Sequence, residues 1–155
     1  MALFLLSANL GWIQGQIIFT EDSLHCLVRV GDWNFATILE YAIKHLKVSD
    51  IVICGHSDCG AIKALTADKE SDEAYIPLWL SNASQARAEL EREMPKPADP
   101  VAQKEWRRKL EEENVKLQLK NLRTYPIVRE AERSGKVEAH GMYFDLDTGK
   151  LEKVA

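Results

Sequence analysis

A chain of 155 residues has room for one domain with its own hydrophobic core and is too short for two ordinary domains. Apolar residues make up 46% of the chain and charged residues 28%, which is the composition of an ordinary soluble globular protein. The net charge of −4 gives no electrostatic reason to expect a nucleic-acid partner. The basic residues of Lys104–Lys109 are followed closely by Glu111–Glu113, which predicts a solvated mixed-charge helix rather than a phosphate-binding track.

The apolar opening Met1–Leu6 is too short to span a membrane, and it lacks the charged start of a signal peptide. We therefore expect a buried strand over Leu3–Leu6, no membrane partner and a single domain over residues 1–155. Cys26, Cys54 and Cys59 are an odd and sparse set for a disulfide framework. Their number favours a reducing compartment, either the cytoplasm or the interior of an organelle or microcompartment.

Strand and helix patterns alternate through the first third of the chain. His25–Val30 is a candidate second strand. Apolar residues over 35–46 recur three and four apart, which predicts an amphipathic helix with Asn34 as its cap. The continuous apolar run Ile51–Cys54 ends at Gly55 and is typical of a strand buried on both faces of a parallel sheet.

Helical patterns dominate the rest of the chain. Predicted helices cover residues 60–67, 78–93, 101–122 and 127–134, with prolines at several of the boundaries. Two final strands, Val137–Asp145 and Leu151–Val154, surround the turn at Asp147–Gly149. Strands that alternate with helices predict an α/β fold with a central, mostly parallel β-sheet flanked by helices.

The segment Cys54–Gly60 follows the most apolar strand, at the edge of an open α/β sheet where ligands bind. His56 and Cys59 can turn toward one metal ion, and zinc favours such nitrogen and sulfur ligands in tetrahedral geometry. A helix that begins near Gly60 favours the thiolate form of Cys59. A His-x-x-Cys pair also occurs in packing and turn chemistry, so the residues alone leave both interpretations open. Cys54 itself is predicted to be a core residue.

The stretch from Ile51 to Lys63, Ile-Val-Ile-Cys-Gly-His-Ser-Asp-Cys-Gly-Ala-Ile-Lys, resembles the second zinc motif of β-class carbonic anhydrases. The resemblance continues through residues 36–46, Asn114–Pro126 and His140–Asp145, and so covers 36–155. It implies a β-carbonic-anhydrase fold, a homodimer or higher oligomer, and zinc-dependent reversible hydration of CO2 to bicarbonate.

The first zinc motif of that family, Cys-x-Asp-Ser-Arg, is matched here by Ser7-Ala-Asn-Leu-Gly11. The resemblance implies that Ser7 stands where a third metal ligand belongs, Asn9 where the catalytic Asp belongs, and Gly11 where the Arg belongs. A serine hydroxyl stays protonated near neutral pH and is a poor zinc ligand, and an Asn cannot accept a proton. His56 and Cys59 are then the two remaining protein ligands, whereas catalytic zinc sites normally have three. We expect zinc binding, and with it hydratase activity, to be weak or absent.

Other residues near the two motifs have their own alternatives. One alternative is a rearranged metal site that uses His25 or Cys26, although the side chains of adjacent strand residues point to opposite faces. Asp58 is expected either to act at the metal in place of water or to cap the helix that follows. His45 and His140 are expected to be surface or packing residues. The helical arm that the family uses in dimer packing has no counterpart in these 155 residues.

Three functional hypotheses follow. The first is a zinc hydratase in which some other group compensates for Ser7. The second is a non-catalytic pseudoenzyme that acts as a scaffold or as the partner subunit of a hetero-oligomer, since three changes coincide in the first motif and a missing arm would leave apolar surface for a partner. The third is a truncated or rearranged product with no settled function. Zinc content and a hydration assay separate them.

Overall fold

The structure, a computed structural model, describes residues 2–6, 27–67 and 72–155. Its strands are β1 (Ala2–Leu6), β2 (Asp50–His56), β3 (Glu138–Phe144) and β4 (Leu151–Lys153). Its α-helices are α1 (Trp33–Tyr41), α2 (Gly60–Leu65), α3 (Ile76–Leu80), α4 (Ser84–Glu93), α5 (Pro100–Leu122) and α6 (Pro126–Arg133). No helix in these ranges is both long and apolar enough to cross a bilayer.

The four described strands form one sheet in the order β1-β2-β3-β4. β2 and β3 are parallel, because the connection between them is a long crossover that contains α2 to α6. β3 and β4 are antiparallel around a tight turn that includes Gly149 at φ 69°. β1 pairs antiparallel with β2, with Ala2 opposite Cys54 and Leu6 opposite Asp50.

The predicted α/β class, with helices flanking a central sheet, is confirmed. The sheet is mixed, however, where the sequence predicts a mostly parallel one. Among the described strands only the central β2–β3 pair is parallel, and both outer pairs are antiparallel. The apolar run predicted to be a doubly buried strand is the centre of β2. Ile51 and Ile53 on one face are almost inaccessible to solvent, whereas Val52 on the other face is half-buried.

The segment before the first predicted helix differs from expectation. Residues 27–30 are not a strand, and the rest of the candidate strand lies outside the described residues. The Tyr125 hydroxyl donates to the Arg29 carbonyl and accepts from the Asp32 N–H at 3.1 Å, which holds this segment against the end of α5. The α1 cap is Asp32 and not Asn34, because the Asp32 carboxylate accepts from the Phe35 N–H at 3.0 Å.

The predicted helices are found with small changes. The α1 helix continues as one π-helical turn over Ala42–Leu46. The helix predicted over 78–93 is two helices, α3 and α4, joined by a 3₁₀ turn at Ser81–Ala83, and Pro77 lies in the first turn of α3. The predicted inner stripe of α5 is buried: Val115, Leu119 and Leu122.

The long helix α5 approaches the sheet closely over two glycines. A Cβ atom added to Gly55 would lie 2.5 Å from Val115 Cγ2, and one added to Gly141 would lie 3.1 Å from Val115 Cγ1. Val115 is fully buried, and its branched side chain has little rotamer freedom in a helix. The glycines of β2 and β3 therefore set the distance between α5 and the sheet.

We expect Gly55→Ala to destabilise the protein by about 1–3 kcal/mol, because the added methyl group overpacks a rigid contact. Gly60→Ala is the matched control, since a Cβ at Gly60 would meet no atom within 4 Å. The free energies of unfolding from urea titrations measure both effects. Equal stability of the two variants would contradict the close approach of α5.

Candidate metal centre

The turn between β2 and α2 is anchored to the carboxyl end of β3. The Ser57 N–H donates to the Phe144 carbonyl at 3.0 Å, and the Ser57 hydroxyl accepts from the Leu146 N–H at 2.8 Å. Asp58 follows at φ 59°, a left-handed conformation that a short polar side chain tolerates. This reversal brings Cys59 to the start of α2, three residues beyond His56.

The His56 ring is oriented by its own loop. Its Nδ1 atom lies 2.8 Å from the Ser57 carbonyl oxygen. A carbonyl only accepts, so Nδ1 carries the proton and donates. In the neutral ring Nε2 is then the nitrogen with a lone pair, and a carbonyl partner on the opposite nitrogen is the usual orienting contact of a metal-binding histidine.

His56 and Cys59 form a hydrogen-bonded pair. The contact with Cys59 raises the pKa of His56 against the opposing effect of burial. Burial raises the pKa of the Cys59 thiol, but the hydrogen bond to His56 and the N–H of Ile62 outweigh it, so that the pKa is lowered overall. The pair therefore combines a sulfur atom biased toward thiolate with a ring oriented for coordination.

Glu111 is a site residue that the sequence analysis missed, because the mixed-charge pattern around it predicts a solvated helix face. Glu111 is only 5% exposed. One carboxylate oxygen accepts from the Cys59 N–H at 2.8 Å, and the other accepts from the Tyr143 hydroxyl at 2.7 Å. The available signal is its spacing, since Glu111 lies four residues before Val115 on the inner stripe of α5.

Asp58 lies at the outside of the loop. Its carboxylate pairs with Lys63 at 2.5 Å, its side chain is 69% exposed, and the hydrogen bond to Lys63 lowers its pKa. The cap position of α2 is occupied by Cys59 and not by Asp58. The described geometry therefore supports neither role considered for Asp58, that of a group acting at the metal in place of water or that of a cap on α2.

A third metal ligand is lacking among the residues that the structure describes. No His, Cys, Asp or Glu in the ranges 27–67 and 72–155 forms a three-residue cluster with His56 and Cys59. Cys54 is buried within β2, its thiol donates to the Gly55 carbonyl, and burial raises its pKa. The described residues thus fit zinc in donor type and tautomer, but they supply two protein ligands.

The residues of the first motif lie outside the described ranges: Ser7, Asn9 and Gly11, and with them His25 and Cys26. The preceding residue, Leu6, pairs with Asp50 at the amino end of β2, whereas His56 ends that strand. A strand of this length spans roughly 20 Å at about 3.3 Å per residue. In this register β1 runs toward the edge of the sheet opposite the His56–Cys59 pair.

A second group of ligand-type side chains lies at the amino ends of β2 and β3. His140 Nε2 is 2.9 Å from Asp50, and His140 Nδ1 is 3.6 Å from Glu138. Each ring nitrogen therefore faces a different carboxylate. Asp50, Glu138 and His140 lie close enough together to hold a metal ion, so the prediction of a surface or packing role for His140 is not confirmed. His45 stacks on Tyr41 with ring centroids 5.1 Å apart, which is a packing contact.

The family model described as carbonic anhydrase matches residues 15–151. The chain belongs to the β-carbonic anhydrase family. The tetrameric β-carbonic anhydrases of Sordaria macrospora share its fold, with a TM-score of 0.73 and 31% identity over 82% of this chain and 62% of that one. The Coccomyxa β-carbonic anhydrase in complex with acetazolamide has a TM-score of 0.71 and 30% identity over 82% and 56% of the two chains.

Curated carbonic anhydrases give the same family. Carbonic anhydrase 1 of Escherichia coli O157:H7 is 39% identical over 118 residues, which are 73% of this chain and 50% of that protein. The carbonic anhydrase of Pseudomonas aeruginosa is 36% identical over 115 residues, 74% of this chain and 50% of that protein. The chain spans about half the length of the curated relatives it matches.

In the metal-free β-carbonic anhydrase chain, we expect iodoacetamide to modify Cys59 faster than Cys54 at neutral pH. The pKa of Cys59 is lowered and that of buried Cys54 is raised, so Cys59 carries more thiolate. His56→Ala should slow the modification of Cys59 several-fold near pH 7, and the two rates should converge as the pH rises. Peptide mass spectrometry assigns the modified cysteine. A Cys59 rate that is indifferent to His56→Ala would contradict the pairing.

We expect Asp50→Asn to cost about 1 kcal/mol of stability near neutral pH, since it removes a charge-assisted hydrogen bond. Hydrogen bonds from Ser49 and His140 lower the pKa of Asp50. The stabilisation is therefore present above the unfolded-state value of about 3.9 and is lost as the pH falls through the lower folded-state value. Urea titrations from pH 7 to pH 3 should show the free energies of unfolding of Asp50→Asn and the wild type approaching each other as the pH falls. Exposed Asp72→Asn is the control and should match the wild type throughout.

Proposed function

We propose that this chain is a β-carbonic anhydrase homologue with an incomplete zinc site, in which the hydration of CO2 to bicarbonate is weak or absent. One observation carries the proposal: the Ser57 carbonyl orients His56 and the Glu111 carboxylate holds Cys59, yet no third ligand-type side chain among the described residues forms a cluster with them. The family resemblance adds that Ser7 stands where the third protein ligand belongs.

Zinc would be held by His56 Nε2 and the Cys59 sulfur, and when bound it lowers the pKa of a coordinated water to about 7. Two protein ligands fall short of the three that catalytic zinc sites normally have. Because structural zinc in small peptides is worth roughly 10–16 kcal/mol, the loss of one ligand lowers affinity by orders of magnitude.

The chain's own groups support binding better than proton transfer. The Ser57 carbonyl holds the His56 tautomer, and Glu111 holds the Cys59 peptide. Asp58, the carboxylate next to the ligands, is paired with Lys63. At the position matched to the family's catalytic Asp, the amide of Asn9 cannot accept a proton. A hydration step would therefore have neither a firmly held hydroxide nor a neighbouring base.

We expect the purified chain to contain well below one zinc per chain by elemental analysis and to hydrate CO2 no faster than buffer in stopped-flow assays. Cys59→Ser should remove the remaining zinc. The E. coli relative, purified and assayed in parallel, is the positive control. A full complement of tightly held zinc with rapid hydration would overturn the proposal.

The family resemblance assigns position 7 to the third ligand, whereas the described β1 leads away from the His56–Cys59 pair. Given this antiparallel register, we expect Ser7→Cys to leave the zinc content unchanged. Ala8→Cys is the matched control, since the next residue is not a ligand in the family motif. A rise toward one zinc per chain would restore the third ligand that the resemblance implies and would require β1 to run parallel to β2. An unchanged zinc content in Ser7→Cys would support the antiparallel β1–β2 register and contradict the role of Ser7.

A second candidate function is a non-catalytic scaffold or partner subunit. Large apolar side chains are exposed on the described surface, among them Trp33 at 88% and Tyr75 at 83%. Tyr75, Leu78 and Trp79 border a cavity of about 610 Å³. Such surface favours association, either as a homodimer or higher oligomer or within a hetero-oligomer. We propose a cytoplasmic or microcompartment location, consistent with free Cys54 and Cys59.

Light scattering coupled to size-exclusion chromatography measures the oligomeric state and so tests this second candidate function. A stable assembly without hydratase activity supports the scaffold role, and a monomer that is active by itself contradicts it. Co-expression with a full-length carbonic anhydrase, followed by native mass spectrometry, distinguishes homo-oligomers from mixed ones.

A further inference from the structure

We infer that Glu111 is a positioning residue for the His56–Cys59 pair: its buried carboxylate fixes the backbone of Cys59 and so directs the Cys59 sulfur toward His56. The inference deepens the proposed function, because it names the group that keeps the two ligand side chains together. It concerns the conformation of the loop and not its metal content.

Both oxygens of Glu111 have a defined partner. The Cys59 N–H donates to Oε1 at 2.8 Å, and the Tyr143 hydroxyl donates to Oε2 at 2.7 Å. Cys59 is the cap residue of α2, and its N–H lies before the first helical turn, so no carbonyl of α2 accepts from it. Glu111 lies 52 residues away along the chain and supplies the missing acceptor.

The buried surroundings of Glu111 restrict its carboxylate to these two hydrogen bonds. A buried carboxylate is retained only when its oxygens are hydrogen-bonded. Tyr143 is fully buried, and burial raises the pKa of its phenol well above the ordinary value, so it remains a donor. The Arg108 guanidinium lies over the Tyr143 ring, 5.4 Å from its centroid, and adds favourable positive charge near the network.

The loop has a second, independent tether at Ser57. The Ser57 N–H donates to the Phe144 carbonyl, and the Ser57 hydroxyl accepts from the Leu146 N–H; neither hydrogen bond involves Glu111. Removal of the Glu111 carboxylate therefore releases Cys59 while Ser57 and the strand that ends at His56 stay in place. This separates a positioning role from a general contribution to folding.

The test uses amide hydrogen exchange and ¹⁵N-correlated NMR spectra on the zinc-free chain of 155 residues. We expect Glu111→Ala to speed exchange of the Cys59 N–H at least tenfold and to shift its proton resonance upfield, while the amide of Ile53 in β2 keeps its wild-type rate. Glu111→Gln should restore most of the protection, since its amide oxygen can accept from Cys59 and its NH₂ group can donate to the Tyr143 oxygen.

Tyr143→Phe is the matched control, because it removes a partner of the same carboxylate but leaves the Cys59 bond available. Its Cys59 amide should stay close to wild type. Wild-type exchange at Cys59 in Glu111→Ala overturns the inference, and so does an equal acceleration of the Cys59 and Ile53 amides, which would indicate global destabilisation. Because the chain is zinc-free throughout, these outcomes do not depend on whether the proposed loss of zinc is correct.

Discussion

The contact of α5 with the central strands is the constraint on which the rest of the structure depends. Gly55 of β2 lets Val115 approach the sheet without a side chain between them. That approach places Glu111, one helical turn earlier, beside the turn that follows β2. Packing in the core and geometry at the site are thus set by the same helix position, and a shift of α5 would disturb both.

The geometry of the candidate metal centre does not require a bound metal. The Ser57 carbonyl accepts from the His56 ring, and the Glu111 carboxylate accepts from the Cys59 N–H, so that protein groups alone arrange the two candidate ligands. The order of this loop therefore comes from α5 and from the loop's own backbone.

Much of the fold could be predicted from periodicity, because α1, β2 and the inner stripe of α5 follow regular apolar spacing. The cap of α1 could not, since Asp32 and Asn34 are equally suitable and only the start of the first turn decides between them. The strand predicted over residues 25–30 is not found in its described part. There the Tyr125 hydroxyl donates to the Arg29 carbonyl and holds the segment against the end of α5. Of the site, His56 and Cys59 are evident in the motif, whereas Glu111 is one of three consecutive glutamates and only its spacing from Val115 on the inner stripe of α5 distinguishes it as the buried one.

The anchoring of the turn at Ser57 and Cys59 also bears on biosynthesis. His56 and Cys59 leave the ribosome within three residues of each other, yet the groups that hold their loop belong to α5 and to the residues after β3. During translation the nascent segment has no partner for the Cys59 peptide until position 111 emerges, and none for the Ser57 hydroxyl until position 146. The His56–Cys59 geometry is therefore completed late in synthesis, although its sequence motif is one of the most local in the chain.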